Sequence, residues 1–552
     1  MSIKDSKKGL STTVAIGAIV LVIIVVLAAW YLMAPKAEAN ETLIMGTTDS
    51  VETSLDPAQA YDFFAWTVIQ ATGCGLVQMK EGTPNGAGVK DIIPGLATKW
   101  ESSADGKTWT FTLREGVKWS DGTEFDATHV KRSFDRGITM ALPEGAFVGI
   151  GFDGIIESVE VVSKYQVKFH LKIAFAPFLS LMASQVTYIV KPDAPLDAPV
   201  AYVEGNATAS SPMDLGPYTL VNWTRKAGKD YEMRFVANPN YWDKDAGLPK
   251  TKNFIIRFYA DATALGMAID AGEIDIAYRQ LKSADIDNLK TKTNVKVWEG
   301  TGQFIQYIVF QNKIPPFDDP KVRRAIAAAL NRTAIVQTVF LGHRTNLYSM
   351  IPNGMAWQTA AYKVLGDANY SFTKNTLNDA TIYGGPYNEN KKLAVDLWYE
   401  NSGHYPQSPD IALVIKDSLE ASGVMTVKLN GLDWPAYYEK RKEQNMRVYI
   451  YGWYPDYVDP DTYIYPFLHS KALWLFNNYN NSKMDSVVMQ SRSTADATAR
   501  ENAYKTVQEI MVEDAPIVPM FQRKEYAVTK PNIKGVYLDI AVQWRLWLLY
   551  AE

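Results

Sequence analysis

Cysteine is nearly absent. Cys74 is the only one among 552 residues, so no intramolecular disulfide can form and no cysteine-based zinc site exists. Histidine is also scarce: the five, at 129, 170, 343, 404 and 469, are scattered, and none forms the i, i+4 pair of a helical zinc site. No Gly-x-Ser-x-Gly elbow is present, which removes the common signature of a serine hydrolase. The one Gly-x-Gly-x-x-Gly string, Gly149 to Gly154, runs into the strand-like segment Ile155 to Leu171. Lacking a following helix N-terminus, it reads as a glycine-rich turn and not as a phosphate cradle. Basic clusters, repeats and low-complexity tracts are missing, and the net charge is −4, which excludes an electrostatic footprint for nucleic acid and a solenoid architecture. These patterns assign no catalytic residue, no metal ligand and no cofactor. Cys74, between Gly73 and Gly75 and beside apolar residues, reads as a small packed thiol.

Long apolar runs are absent too, with one exception. Val14 to Met33 is uncharged and rich in Ile, Val, Leu and Ala, and Lys4, Lys7 and Lys8 precede it. Its length is about that of a bilayer-spanning helix. The positive-inside rule keeps those lysines in the cytoplasm and places the chain beyond Lys36 outside. Segment 1–40 carries four lysines against Asp5 and Glu38, which leaves −6 on the remainder. The wording Lys7-Lys8-Gly9-Leu10-Ser11-Thr12-Thr13 resembles an archaeal pilin-type signal, in which a peptidase cuts after the glycine and leaves the helix on the mature chain. Ala37-Glu38-Ala39 offers a conventional small-x-small site, so removal of the helix stands as the alternative to an uncleaved anchor or to trimming between Gly9 and Leu10. No cysteine follows the run, which disfavours a bacterial lipoprotein.

Beyond residue 40, strand and helix patterns interleave, and the length exceeds one ordinary core; two or three α/β or α+β lobes are expected. Trp109, Phe111 and Leu113 alternate with threonines, Glu115-Gly116 and Asp121-Gly122 supply turns around Val117 and Trp119, and a helix is expected to open near Asp126. Asp319 has the character of an N-cap with Pro320 at the first helical position, and Val322, Ile326, Leu330 and Val336 follow at helical spacing. Val448 to Gly452 reads as a buried strand that breaks into an aromatic loop rich in Pro and Asp. Prolines 192, 195, 199 and 212 with Gly205 mark a domain edge.

The wording of these segments is more telling than their physics. Pro94-Gly95-Leu96-Ala97 ahead of Trp100, Leu113-Arg114-Glu115-Gly116-Val117-Lys118-Trp119, Ser120-Asp121-Gly122-Thr123, Gly272-Glu273-Ile274-Asp275, the run Pro315 to Ile326, and Trp453-Tyr454-Pro455-Asp456-Tyr457-Val458-Asp459-Pro460 occur in this order. So do Ser54 to Ala58, Gly216 to Leu220 and Asn238 to Trp242. Together they closely resemble the oligopeptide/dipeptide-type extracellular solute-binding proteins of ABC importers, family 5. The resemblance implies an α/β, periplasmic-binding-protein-like fold of class II, with two lobes, the extra domain of the peptide-binding branch and the N-terminal transmembrane helix read above. The implied division is 1–36 as signal or anchor, 41–72 with 212–300 and 515–552 as lobe I, 73–211 as the additional domain, and 301–514 as lobe II. It further implies a receptor that captures peptides between its lobes and delivers them to permease subunits, held at the cell membrane with its globular part outside.

By the same resemblance Trp453 and Asp456 fall on positions that supply an aromatic wall and a carboxylate for the ligand's α-amino group, and Trp434 matches a second pocket tryptophan. An ionised Asp in a closed cleft suits an ammonium, because charge-assisted hydrogen bonds strengthen as water leaves. The competing reading has Asp456 and Asp459 merely capping turns. With Trp 15 and Tyr 31, aromatic faces are numerous enough to stack on sugar rings, so an oligosaccharide is the alternative ligand. A different class, a secreted glycosidase, needs two carboxylates roughly 5 to 10 Å apart, which sequence does not place.

Processing is directly checkable. Mass spectrometry of the native protein is expected to find a chain that begins at Leu10 and retains the apolar helix; a first residue near Asn40 rejects pilin-type trimming.

Overall fold

The computed structural model describes residues 41–82, 89–143, 145–279, 281–472, 474–538 and 544–552. The apolar run Val14–Met33, the Gly9-Leu10 junction and the whole 1–36 segment lie outside the described residues. Among the described residues no helix is long and apolar enough to cross a membrane.

The architecture is α/β. Eleven of the described strands form one mixed sheet. From one edge the order is Met425–Leu432, Leu393–Glu400, Val448–Trp453, Lys296–Phe310, Ile517–Thr529, Ile276–Ala277, Thr42–Thr47, Asn253–Phe258, Lys229–Ala237 and Tyr218–Lys226, with Arg344–Asn346 paired to Ile517–Thr529 at the side. The strand Val448–Trp453 is buried along its whole length. Its sequence VYIYGW is accordingly apolar and aromatic without alternation, as a strand covered on both faces requires.

Lys296–Phe310 and Ile517–Thr529 are the two long strands, and they carry the chain from one half of the sheet to the other. Lys296 to Thr301 pairs antiparallel with Thr529 to Lys524, while Ile305 to Val309 pairs with Gln522 to Ile517, and the register breaks between Thr301 and Ile305. Past that break Ile305 to Phe310 also pairs with Trp453 to Val448; at the other end Val528 and Thr529 pair with Ala277 and Ile276. The boundary at 300/301 implied by resemblance therefore falls inside a continuous strand.

A separate antiparallel sheet has the order Ala97–Ser102, Thr108–Leu113, Gln166–Leu171, Ile156–Ser163. Phe111, Leu113, Val167 and Phe169 form its buried face. Helix Ala127–Met140 packs there through Val130 and Phe134, with the Phe134 and Phe169 rings 4.8 Å apart. Asp126 caps that helix by accepting the Thr128 amide at 2.9 Å, so it opens where the sequence places it. Helix Pro320–Ala329 also starts as expected, with Asp319 accepting the Lys321 amide at 2.8 Å. It stops short of Val336: Leu330 turns extended, and Asn331 caps a new short helix, Arg332–Ala334, that continues as the π-helical turn Ile335–Val339.

The Ser54–Ala58 segment is fixed to the second sheet's helix by a fully buried ion pair. Arg136 Nη1 donates to Asp56 Oδ1 at 2.8 Å, Asp56 also accepts the Val200 amide at 2.7 Å, and Arg136 Nη2 donates to the Ala198 carbonyl at 2.9 Å. One carboxylate thus ties together the first segment, the helix and the proline-rich edge. Replacing Arg136 with Met strands a buried carboxylate, and urea unfolding is expected to show a loss of about 3 to 5 kcal/mol.

Candidate functional site

The cap of helix Phe63–Thr72 sets one wall of the site. Asp62 Oδ1 accepts the Ala65 amide at 2.7 Å, which starts the helix and positions Tyr61, Phe63 and Trp66 on a cavity of about 500 Å³. The facing wall comes from the other half of the sheet: Phe304, the loop His404–Pro406, Trp434, and the stretch Tyr451–Asp456 at the end of its buried strand. Gly452 is required there by close approach, because a Cβ would meet Phe304 Cζ at 2.6 Å. A smaller chamber of about 40 Å³ adjoins the cavity and shares Phe63, Trp66, Tyr454, Pro455 and Asp456 with it. The size and the apolar lining with a few convergent polar groups are those of a small-molecule site.

Asp456, Trp453 and Trp434 all line this cavity. Asp456 is half-buried. Its Oδ1 accepts a hydrogen bond from Tyr61 Oη, across the cavity wall, at 3.0 Å, and its amide donates to Thr462 Oγ1 at 3.2 Å. Desolvation raises its pKa to about 7 in spite of those hydrogen bonds. Burial and the neighbouring carboxylate push the Tyr61 phenol up, so the hydroxyl remains a donor.

The same loop contains the internal control. Asp459 and Asp461 are buried and charge-compensated: Arg500 Nη2 lies 2.8 Å from Asp459, and Arg492 Nε lies 3.2 Å from Asp461. The turn-capping reading holds for Asp459, which accepts the Asp461 amide at 2.9 Å. Asp456 differs, since among the described residues it forms no ion pair.

Trp453 is the last residue of its strand, 9% exposed, with its ring edge-on to Phe467 at 5.0 Å and to Trp474 at 5.2 Å. The sequence reading begins the loop at this residue, but strand pairing with Ile305 holds it in the sheet. Trp434 opens helix Trp434–Lys442, capped by Asp433. His404 stacks on the Trp434 ring with centroids 3.6 Å apart and planes 5° from parallel. Burial lowers the His404 pKa, which favours the neutral imidazole. One face of Trp434 is thus occupied by the protein itself.

Several lining groups escaped the sequence reading: Tyr61, Asp62, His404, and the arginines 279, 344 and 523. The run Tyr61-Asp62-Phe63-Phe64-Ala65-Trp66 carries a signal, an Asp cap set in an aromatic cluster. The arginines carry none, because they come from segments far apart in the chain: just after the strand Ile276–Ala277, the strand Arg344–Asn346 and the middle of Ile517–Thr529. Cys74 is buried as expected, and desolvation pushes its thiol up to about 12. Among the described residues no group of three His, Cys, Asp or Glu side chains has the arrangement of a metal site.

Comparison with known proteins places this geometry. The family model for bacterial extracellular solute-binding proteins, family 5 (middle part), matches residues 91–473. The chain is 28% identical to the probable D,D-dipeptide-binding periplasmic protein DdpA of Escherichia coli K12, over 92% of this chain and 94% of that one. It is 27% identical to the dipeptide-binding protein of the same organism, over 84% and 86%. Among solved structures, the periplasmic binding protein DppA of Helicobacter pylori in complex with the peptide STSA superposes with a TM-score of 0.74, at 24% identity, covering 93% of this chain and 98% of that one.

A carboxylate held near pKa 7 leaves a mark on stability. Unfolded, Asp456 ionises near pH 4; folded, it keeps its proton until about 7. Between those values the folded state holds the extra proton, so the Asp456 contribution to stability falls as pH rises through the window. Asp456→Asn is expected to match the wild-type melting temperature at pH 4 and to exceed it at pH 8, by a stabilisation on the order of 1 to 4 kcal/mol. Calorimetric melting of the ligand-free proteins across that range checks it.

Proposed function

The chain belongs to the bacterial extracellular solute-binding proteins of family 5, and we propose that it is the extracytoplasmic receptor of an ABC importer that captures short peptides in the cavity around Asp456 and delivers them to permease subunits. The observation that carries the reading is the contrast within one loop: Asp459 and Asp461 are neutralised by arginines, while Asp456 lines the cavity without a cation. A peptide's ammonium supplies that charge. The names of the relatives, a D,D-dipeptide-binding and a dipeptide-binding protein, support the same ligand class. The oligosaccharide alternative draws on the aromatic wall, but the stacking of His404 on Trp434 withdraws one of its faces. The role is binding without turnover, in keeping with relatives named as binding proteins, and not that of a glycosidase.

The lobes we propose are 41–72 with 212–300 and 515–552, and 301–514, with 73–211 as the additional domain; the two long strands join them, and closure about those strands would trap the ligand. We further propose a tether through Val14–Met33, of the archaeal-like form whose pilin-type signal the first residues resemble, with the body outside the membrane; the lysine asymmetry supports it.

Binding is expected to depend on pH in a bell shape. Below about 7 a bound ammonium must expel the Asp456 proton, and above about 8 the peptide α-amine itself loses its charge. Calorimetry at pH 6 in buffers of different ionisation enthalpy is expected to report close to one proton released per peptide bound. Asp456→Ala should weaken peptide binding by about 3 to 5 kcal/mol, the size of a broken desolvated pair, with Trp453→Ala costing less. Equal affinity of wild type and Asp456→Ala for every peptide that produces a thermal shift rejects the assignment. A larger loss in Trp453→Ala with an oligosaccharide as the best ligand favours the alternative.

A further inference from the structure

The chamber of about 40 Å³ that adjoins the cavity takes its walls from three distant parts of the chain. Helix Phe63–Thr72 presents Phe63, Trp66, Thr67 and Gln70 to it, the i, i+3, i+4 and i+7 positions of a single helix face. The loop Tyr454–Val458 contributes from the other half of the main sheet. The third wall is the short helix Phe178–Met182, through Ser180, with Ala183, Ser184 and Gln185 just beyond it. That helix is positioned by the separate antiparallel sheet: the Phe178 ring lies 5.4 Å from Trp109 and 5.7 Å from Phe169. The separate sheet thus reaches the site through this wall.

Several polar groups around the chamber are already engaged. Thr67 Oγ1 donates to the Phe63 carbonyl at 3.1 Å, Ser184 Oγ to the Leu181 carbonyl at 2.7 Å, Trp66 Nε1 to the Ala60 carbonyl at 2.8 Å, and Tyr457 Oη to Asp461 at 2.8 Å. Ser180 is not. It is 1% exposed, and its Oγ is buried with no hydrogen-bond partner among the described residues. A buried hydroxyl left unpaired is costly, and alanine at this helical position would avoid the cost. Gln185, 7% exposed, brings an amide to the same wall. The volume sets a further limit. A water needs roughly 10–15 Å³ of such space, so the chamber of about 40 Å³ holds about three non-hydrogen atoms. Serine and threonine side chains fit within that; leucine and phenylalanine exceed it.

Asp456 borders both spaces. An ammonium held there has the Cβ of its own residue two covalent bonds away, beside the chamber. We propose that the chamber receives the side chain of the ligand residue that carries the ammonium, and that Ser180, with Gln185 beside it, selects a small hydroxylated one, serine or threonine. This rests on the peptide reading above and adds a specificity that a cavity of about 500 Å³ does not impose. A hydroxyl is both donor and acceptor, so the ligand's hydroxyl pairs with Ser180 Oγ in either direction. An apolar side chain leaves Ser180 unpaired. Phe63, Trp66 and Met79 supply apolar surface for the threonine methyl.

The test titrates seryl-, threonyl-, alanyl-, valyl- and leucyl-phenylalanine, with N-acetyl-seryl-phenylalanine as control, calorimetrically into wild type, Ser180→Ala and Met79→Ala. Wild type is expected to bind the seryl peptide about tenfold more tightly than the alanyl, and the threonyl about tenfold more tightly than the valyl, the size of one net hydrogen bond. The leucyl peptide should bind about ten- to a hundredfold more weakly than the alanyl, because it overfills the chamber. In Ser180→Ala the seryl peptide should fall to the alanyl value, which itself stays unchanged. The melting temperature of that variant should equal or exceed the wild-type value, since an unpaired hydroxyl is removed. Met79→Ala widens the chamber and should bring the leucyl peptide within a few-fold of the alanyl, a gain that misfolding does not imitate. Equal binding of the seryl, alanyl and leucyl peptides by wild type overturns the subsite, as does a seryl preference that survives Ser180→Ala. If all the dipeptides bind alike while N-acetylation abolishes binding, the chamber assignment fails and the peptide reading stands. If no compound binds, the peptide reading fails and takes the subsite with it.

Discussion

The antiparallel pairing of Lys296–Phe310 with Ile517–Thr529 is the constraint on which the rest of the molecule depends. Lys296–Phe310 pairs on its outer side with Val448–Trp453 of one half, Ile517–Thr529 pairs on its outer side with Ile276–Ala277 of the other, and their mutual register breaks between Thr301 and Ile305. The hydrogen bonds that hold each half are ordinary. What is particular is that the only sheet continuity between the halves, among the described residues, runs through this pair. The cavity walls are set by it: Phe304 and Gln306 come from one strand, Arg523 from the other, and Arg344 reaches the cavity through a strand that pairs with the second. A change in the twist or bend of two strands at this break therefore moves whole walls relative to one another without breaking either wall's own packing.

The cavity is chemically expensive. Asp456 is desolvated without a cation, Asp62 is likewise raised to about 7 by burial and the nearby Glu52, and Arg344 faces Arg523 across a strand pair. Three other buried aspartates are matched by arginines, at Asp56–Arg136, Asp459–Arg500 and Asp461–Arg492. An aspartate without a cation in a cavity, beside aspartates that have one, is the arrangement on which the proposed site rests.

Much of this was legible in the sequence. The buried strand at Val448, the helix caps at Asp126 and Asp319, and the ordered family motifs fixed the fold class, because caps, turns and fully buried strands are local signals. The three lining residues expected from resemblance, Asp456, Trp453 and Trp434, do share one cavity. Illegible were the partners that distinguish Asp456 from Asp459: Arg500 and Tyr61 lie 41 and 395 residues away from the aspartates they meet. Nor does any local pattern announce that His404 covers Trp434, or that Arg344 and Arg523 become cross-strand neighbours. Such contacts belong to the topology, and a single chain's wording does not contain them. The helix expected to continue to Val336 failed for a local reason of its own, the Asn331 cap that restarts it.

The lone thiol has a practical side. Desolvation pushes the Cys74 thiol up to about 12, so it stays protonated at neutral pH, and its burial keeps it from reagents. The natural chain is therefore already the blank background that labelling chemistry usually has to be engineered toward. A pair of cysteines introduced on the surface, one on each side of the two long strands, would carry fluorophores or spin labels without competition from the interior. The distance between the halves then becomes a quantity that can be read on single molecules, in the full-length protein, while the cavity fills.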